Sequence, residues 1–244
     1  MEKIYLSFVI TTISGISTVL GMIPIYFKQK NKNNIINISL SFASGVMLSI
    51  SINTLFRESY TIFNNYYNKL STIFIISLFI IIGIIIVKGI NTLLKKIDNK
   101  LYKLGIINTI SLIIHNIPEG ILTFSTSTTN ISLGILLSLA IMLHNIPEGI
   151  SIAIPIYYST GSKTKAFIYT AIAGFSEVLG AFITYIFLYK YISFSFIAVM
   201  LSITIGIMSY IAIFELLPNS LKYKNKKLTI ISFLIGYILM ICIK

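Results

Sequence analysis

Both histidines of the chain lie in two copies of one hexapeptide, His115-Asn116-Ile117-Pro118-Glu119-Gly120 and His144-Asn145-Ile146-Pro147-Glu148-Gly149. Within each copy His and Glu are four residues apart, so on a helix they project from one face a turn apart, with Asn one position round. A turn that carries imidazole, amide oxygen and carboxylate is half of a metal site, and the second copy supplies the other half. Nitrogen and carboxylate donors without thiolate suit zinc, iron(II), manganese or cadmium, whereas oxygen-only cages suit magnesium or calcium. A further carboxylate, Glu177, sits in the middle of a later apolar run, within Ala171-Ile172-Ala173-Gly174-Phe175-Ser176-Glu177-Val178-Leu179-Gly180-Ala181. Three carboxylates bridging these turns could hold two divalent ions with residual charge near neutral, so a binuclear site is expected.

The prolines say where such a site must lie. Pro118 and Pro147 cannot donate to the carbonyls of Ile114 and Leu143 and crowd them, so each helix is expected to kink and leave an acceptor free. In hydrocarbon such a defect is tolerated only where neighbouring helices or a water-lined cavity satisfy it. The motifs therefore mark the inside of a bundle. Carboxylates at mid-membrane cost several kcal/mol unless they are paired with cations or protonated.

That the surroundings are a membrane follows from composition. The 244 residues are 56% hydrophobic and 11% charged, with a mean hydropathy of +0.90, too apolar for a soluble domain of this length. A net charge of +12 would suit a nucleic-acid partner, but the lysines fall in short loops between apolar runs and form no stripe, so no nucleic acid is expected. The single cysteine, Cys242, excludes an internal disulfide and a Cys-rich metal site, and is expected to be a buried small apolar side chain. No charged region followed by a small-residue cleavage site opens the chain, so the first apolar run should be retained. At about 20 apolar residues per crossing, eight spans fit, at about 4–27, 34–56, 70–94, 104–125, 130–157, 166–188, 193–217 and 227–243. With the N-terminus outside, 14 of the 19 positive residues face the cytoplasm and 5 (Lys3, Arg57, Lys69, Lys190, Lys244) face out, the expected bias. The fold class predicted is all-α: one polytopic membrane domain over residues 1–244, with eight transmembrane helices and both termini extracytoplasmic.

Span four reads Asn108, Ser111, His115, Glu119, Thr123 at steps of three and four, a polar stripe that must face protein or water. Span five repeats the arrangement with Gly134, Ser138, Asn145, Glu148 and Ser151. Only Ser125 to Asn130 separates the two, so they are antiparallel neighbours with their motifs near one depth. Span one offers no mid-span ionisable group and reads as packing. Span two carries the small-residue face Phe42-Ala43-Ser44-Gly45-Val46-Met47-Leu48. Met47 reads first as a gap filler, though a thioether can also ligate a soft metal. Arg57 and Glu58 close this span as a solvated or headgroup-level pair. Span three, almost continuous Ile, Phe and Leu, should face lipid or a subunit partner. In span seven, Gly206-Ile207-Met208 followed by Glu215-Leu216-Leu217 echoes Gly45-Val46-Met47 followed by Thr54-Leu55-Phe56 at equal spacing. Spans two and seven cross in opposite directions, so the echo suggests an inverted-repeat arrangement with kinked helices four and five at the centre, a transporter pattern. Glu215 reads equally as a ligand on the way in or out and as a cap or lysine partner.

The repeated His-Asn-Ile-Pro-Glu-Gly, Glu177 and Phe-Ala-Ser-Gly-Val-Met-Leu together resemble the ZIP (Zrt-, Irt-like) divalent metal transporters, in their bacterial zinc-uptake branch. The resemblance implies eight helices, termini outside, a homodimer, and metal uptake toward the cytoplasm. It implies one metal held by His115, Glu119, His144 and Glu148 with Met47 nearby, and another held by Asn116, Glu119, Asn145, Glu148 and Glu177. Thr54 stands where many members have a ligating side chain, Arg57 replaces a common proline, and the usual His-rich loop is missing. The function expected is transport of Zn2+ (or Fe2+, Mn2+, Cd2+) by alternating access across the plasma membrane, the metal being substrate, with no prosthetic group. The competing classes are a membrane-embedded metalloenzyme using the same ligands and a structural or receptor protein in which His and Glu are only interhelical hydrogen bonds. The first would need a substrate-positioning group or a soluble face, and neither is visible.

Overall fold

Asparagine side chains start five of the long helices, one of them through Asn225 Oδ1, which accepts from the Leu228 N–H at 3.0 Å. In the computed structural model, which describes residues 2–27, 31–188, 193–223 and 225–242, the side-chain oxygens of Asn31, Asn68, Asn99 and Asn130 each accept from backbone N–H groups in the first turn that follows. Ser162 and Ser193 do the same for two more. These caps satisfy amides that a helix cannot bond internally, and they fix the starts within a few residues of the limits expected from hydropathy.

The helices are α1 (Glu2–Leu20), α2 (Lys32–Ile50), α3 (Phe56–Asn64), α4 (Lys69–Leu93), α5 (Lys100–Thr129), α6 (Ile131–Thr160), α7 (Lys163–Ile183), α8 (Phe194–Tyr210), α9 (Leu217–Leu221) and α10 (Lys226–Cys242). Single π turns at Ser51–Leu55 and Ile211–Leu216 join α2 to α3 and α8 to α9 without a break. No strand occurs among the described residues, so the chain is all-α. Among them six rods are long and apolar enough to cross a membrane: α1, α2 through α3, α4, α6, α7 with its extension, and α8 through α9. The polar stripe of α5 lowers its mean hydropathy, and only 17 residues of α10 are described.

Two expectations are corrected here. The second rod does not end near residue 56 but continues to Asn64, because segment 56–64 is amphipathic. It buries Ser59 and Phe63, with Ser59 Oγ 2.7 Å from Ser202 Oγ and 3.1 Å from the Ala198 carbonyl oxygen on α8. Cys242 is exposed: it ends a helix of which only one side packs on protein, and in a membrane an apolar side chain needs no protein cover. Lys28, Lys30, Lys190, Lys224 and Lys244, counted above for orientation, lie outside the described residues.

The chain forms two compact units, Met1–Lys30 with Ile97–Tyr191, and Asn31–Lys96 with Ile192–Lys244. The first holds α1, α5, α6 and α7. Asn130 alone links α5 to α6: its N–H donates to the Thr126 carbonyl at 2.8 Å, and its side chain caps α6. His115 lies 15 residues before this turn and His144 lies 14 after it, so at ~1.5 Å per residue both stand ~21–22 Å from it. Equal depth for the motifs is thus a consequence of where one asparagine falls. Replacing Asn130 by Ala is expected to cost about 1 kcal/mol, read as a lower thermal midpoint in detergent; an unchanged midpoint would show that the cap is dispensable.

Around α5 and α6 the neighbours approach through glycine. Gly120 and Gly180 bring α5 and α7 together against the carbonyls of Glu177 and Ile117. Gly149 lies against the Thr18 carbonyl of α1, and Gly15 of α1 against Gly174 of α7. The buried face of α1 is Ser7, Thr11, Ser14, Gly15, Ser17 and Thr18, small residues that allow close approach in lipid, as its packing role required. Pro118, Pro147 and Pro155 all lie inside unbroken helices.

In the second unit α2 packs on α10 through Gly45 and Gly236, and α8 packs on α4 through Gly206 and Gly83. Asn91 Nδ2 of α4 donates to Glu215 Oε1 at 2.7 Å, so one partner of this carboxylate is an amide. Of α4 only a stripe (Thr72, Ile76, Gly83, Val87, Ile90) is buried, leaving most of its Ile, Leu and Phe at least partly exposed.

Candidate metal centre

The four-residue spacing puts His115 with Glu119 on α5 and His144 with Glu148 on α6, and the single-residue turn sets the two pairs side by side. All four side chains are buried within the first unit. The closest contacts cross from one helix to the other: His115 Nε2 lies 3.1 Å from Glu148 Oε1, and His144 Nε2 lies 3.1 Å from Glu119 Oε1. The pair within α5, His115 Nε2 to Glu119 Oε1, is longer at 3.4 Å. Each motif thus completes the other, and Glu119 touches both imidazoles.

The amides fix the remaining walls. Asn116 Nδ2 donates to the Ala173 carbonyl of α7 at 3.0 Å. Asn145 Nδ2 donates to the Ser14 carbonyl of α1 at 3.1 Å and also to Glu177 Oε1 of α7. With both N–H groups so engaged, each amide oxygen is turned elsewhere. Gly120 is what lets α7 come near enough for this, since a Cβ at that position would fall on the Glu177 backbone.

What the set can do follows from the atoms left over. Asn116 Oδ1, Asn145 Oδ1, Glu119 Oε2, Glu148 Oε2 and Glu177 Oε2 are buried and have no hydrogen-bond partner among the described residues. Five acceptor oxygens without donors is an arrangement a protein interior avoids, at roughly 1–3 kcal/mol each, and it is the chemistry that a dication satisfies. Among the described residues no group of three or more His, Cys, Asp or Glu side chains forms a ready-made metal cage; the imidazoles and carboxylates are engaged with one another.

The structure brings seven of the eight residues singled out by sequence into the first unit: His115, Asn116, Glu119, His144, Asn145, Glu148 and Glu177. Met47 belongs to α2, in the second unit. Sequence reasoning missed the contribution of α1, whose Ser14 carbonyl holds Asn145. A backbone acceptor leaves no side-chain signature, and the only available signal was the run of small residues Ser14, Gly15, Ser17 and Thr18.

The family model described as ZIP Zinc transporter matches residues 95–244, which include both motifs and Glu177. A protein of Streptococcus mutans named Zinc transporter ZupT is 32% identical over 254 residues, covering 98% of this chain and 96% of its own length. Proteins of the same name from Campylobacter jejuni and Clostridium perfringens are 34% and 30% identical, covering 91% and 98% of this chain and 89% and 95% of their own. With six apolar rods, the paired motifs in one helical unit and this similarity along nearly its whole length, the chain belongs to the ZIP zinc transporter family.

Proposed function

We propose that this multi-pass membrane protein carries divalent transition-metal ions, zinc first among them, across the plasma membrane into the cytoplasm. The observation that carries the proposal is the reciprocal pairing of His115 with Glu148 and His144 with Glu119, beside five buried oxygens that lack partners. One ion is held by His115, Glu119, His144 and Glu148, and a second by Asn116, Glu119, Asn145, Glu148 and Glu177. The metal is substrate and passes through. Fe2+, Mn2+ and Cd2+ share these ligand preferences and compete for the site. A metalloenzyme with the same ligands is disfavoured, because the relatives above are named as transporters.

The protein works with eight transmembrane helices, both termini extracytoplasmic, as a homodimer, and the two kinked motif helices at its centre move together in alternating access. Support for an inverted repeat comes from matched contacts within each unit. The pairing of α5 with α7 through glycine is answered by that of α6 with α1, and the pairing of α2 with α10 by that of α8 with α4. The π turns end at Leu55 and Leu216, each ten residues after its glycine, Gly45 or Gly206.

Purified protein in sealed vesicles, given radioactive zinc outside, should accumulate it saturably, and unlabelled cadmium, iron(II) and manganese should reduce the accumulation to different degrees. No accumulation above protein-free vesicles, with insertion verified, would end the proposal.

A further inference from the structure

Beyond the motif itself, one face of α5 is polar in a way that packing does not explain. Asn108, Ser111, His115, Glu119 and Thr123 follow one another at steps of three and four, so they line a single stripe. All five are buried. Each keeps one buried polar atom without a hydrogen-bond partner among the described residues: Asn108 Oδ1, Ser111 Oγ, His115 Nδ1, Glu119 Oε2 and Thr123 Oγ1. Other hydroxyls of the same helix behave differently. Those of Thr109, Ser125, Ser127, Thr128 and Thr129 each donate to a carbonyl three or four residues back, the ordinary way for a helix to satisfy a hydroxyl in hydrocarbon. Ser111 and Thr123 do not. Asn108 is held in place by its nitrogen, which donates to the Ser151 carbonyl of α6 at 2.9 Å, and its oxygen is left over. From Asn108 to Thr123 the stripe runs 15 residues, or ~22 Å of a hydrocarbon layer ~30 Å thick.

We propose that this stripe is the track of the ion through the first unit, with Asn108 Oδ1 and Ser111 Oγ forming a further, transient station for a partly hydrated divalent cation. The station lies one to two turns from His115 toward Lys100 and Lys103, the cytoplasmic side, and Thr123 is the corresponding step on the other side. The proposal rests on the transport reading and adds to it where the ion goes after leaving the imidazoles and carboxylates. Neutral hydroxyl and amide oxygens replace one or two waters of hydration without holding the ion, which a site that must release its cargo requires. Carboxylates at the same places would trap it.

The test is zinc influx into vesicles, measured over a range of zinc concentrations, together with zinc titration of the purified full-length protein. Ser111→Ala and Asn108→Leu should lower the maximal rate about tenfold, the size of one lost contact to a charged group, while zinc affinity stays within about twofold. Thr123→Val should raise the half-saturating concentration about threefold, since it stands before the site. Ser111→Thr keeps the hydroxyl and should keep the rate. Thr109→Val removes a back-bonded hydroxyl and should change nothing. Wild-type kinetics in Ser111→Ala, Asn108→Leu and Thr123→Val overturn the track, and so does a loss of rate that follows a parallel loss of zinc affinity, which marks a packing role. If Asn108→Leu fails to insert, Ser111→Ala decides alone. Failure of the unaltered protein to move zinc counts against the transport reading itself.

Discussion

Glu119→Ala should yield a protein that inserts in the membrane but has lost zinc uptake, and Glu148→Ala should do the same. Glu119 Oε1 lies 3.1 Å from His144 Nε2 and 3.4 Å from His115 Nε2, so its removal strands the His144 imidazole and leaves His115 with Glu148 alone. Glu148 Oε1 lies 3.1 Å from His115 Nε2. Both carboxylates belong to both proposed ion positions, and each loses a contact worth about 1.5–3 kcal/mol to each ion. The expected fall in uptake is therefore more than about a hundredfold.

Glu119→Gln separates this account from simple unfolding. It keeps the volume and removes the charge, and a mid-membrane carboxylate is costly. Without metal the Gln variant should be at least as stable as the parent. With zinc at a hundred times its dissociation constant the parent gains about 2.7 kcal/mol, whereas the variant gains almost nothing. Thermal unfolding with and without zinc, run beside uptake, reads both quantities. Uptake at the parent rate in either alanine variant would remove these carboxylates from the mechanism.

The clustering of the candidate ligands was legible because their spacing is local. His and Glu four apart on a helix share a face whatever else the chain does, and the short connection through Asn130 leaves little freedom in how the two copies meet. The crossing of the pairs was not legible: spacing alone favours His115 with Glu119, while the structure places His115 nearer Glu148. That choice depends on helix rotation, which α7 and α1 set through backbone contacts at Gly120 and Gly149. The helix ends were largely legible, since hydropathy and asparagine caps agree. The extension from Arg57 to Asn64 was not, because its polar face reads as loop until Ser59 and Phe63 are seen against α8. The amide partner of Glu215 was equally hidden, since Asn91 lies 124 residues away in the chain.

Gly120→Ala should cost much of the transport function, although the residue has no donor atom. A Cβ there would overlap the carbonyl oxygen, carbonyl carbon and Cα of Glu177. These are backbone atoms and cannot rotate aside, so α5 and α7 must separate. Overpacking of this kind costs about 1–3 kcal/mol, and the separation carries Glu177 away from Asn145. Zinc uptake should fall by at least about tenfold, with a lower thermal midpoint and weakened zinc binding. The control is Gly89→Ala on α4, where a Cβ meets nothing within 4 Å among the described residues. There the better helix propensity of alanine, up to about 1 kcal/mol, should raise the midpoint or leave it unchanged, with uptake intact. If Gly120→Ala matched Gly89→Ala in both measurements, the approach of α7 to α5 would not be what positions Glu177, and the third carboxylate would have to owe its place to Asn145 alone.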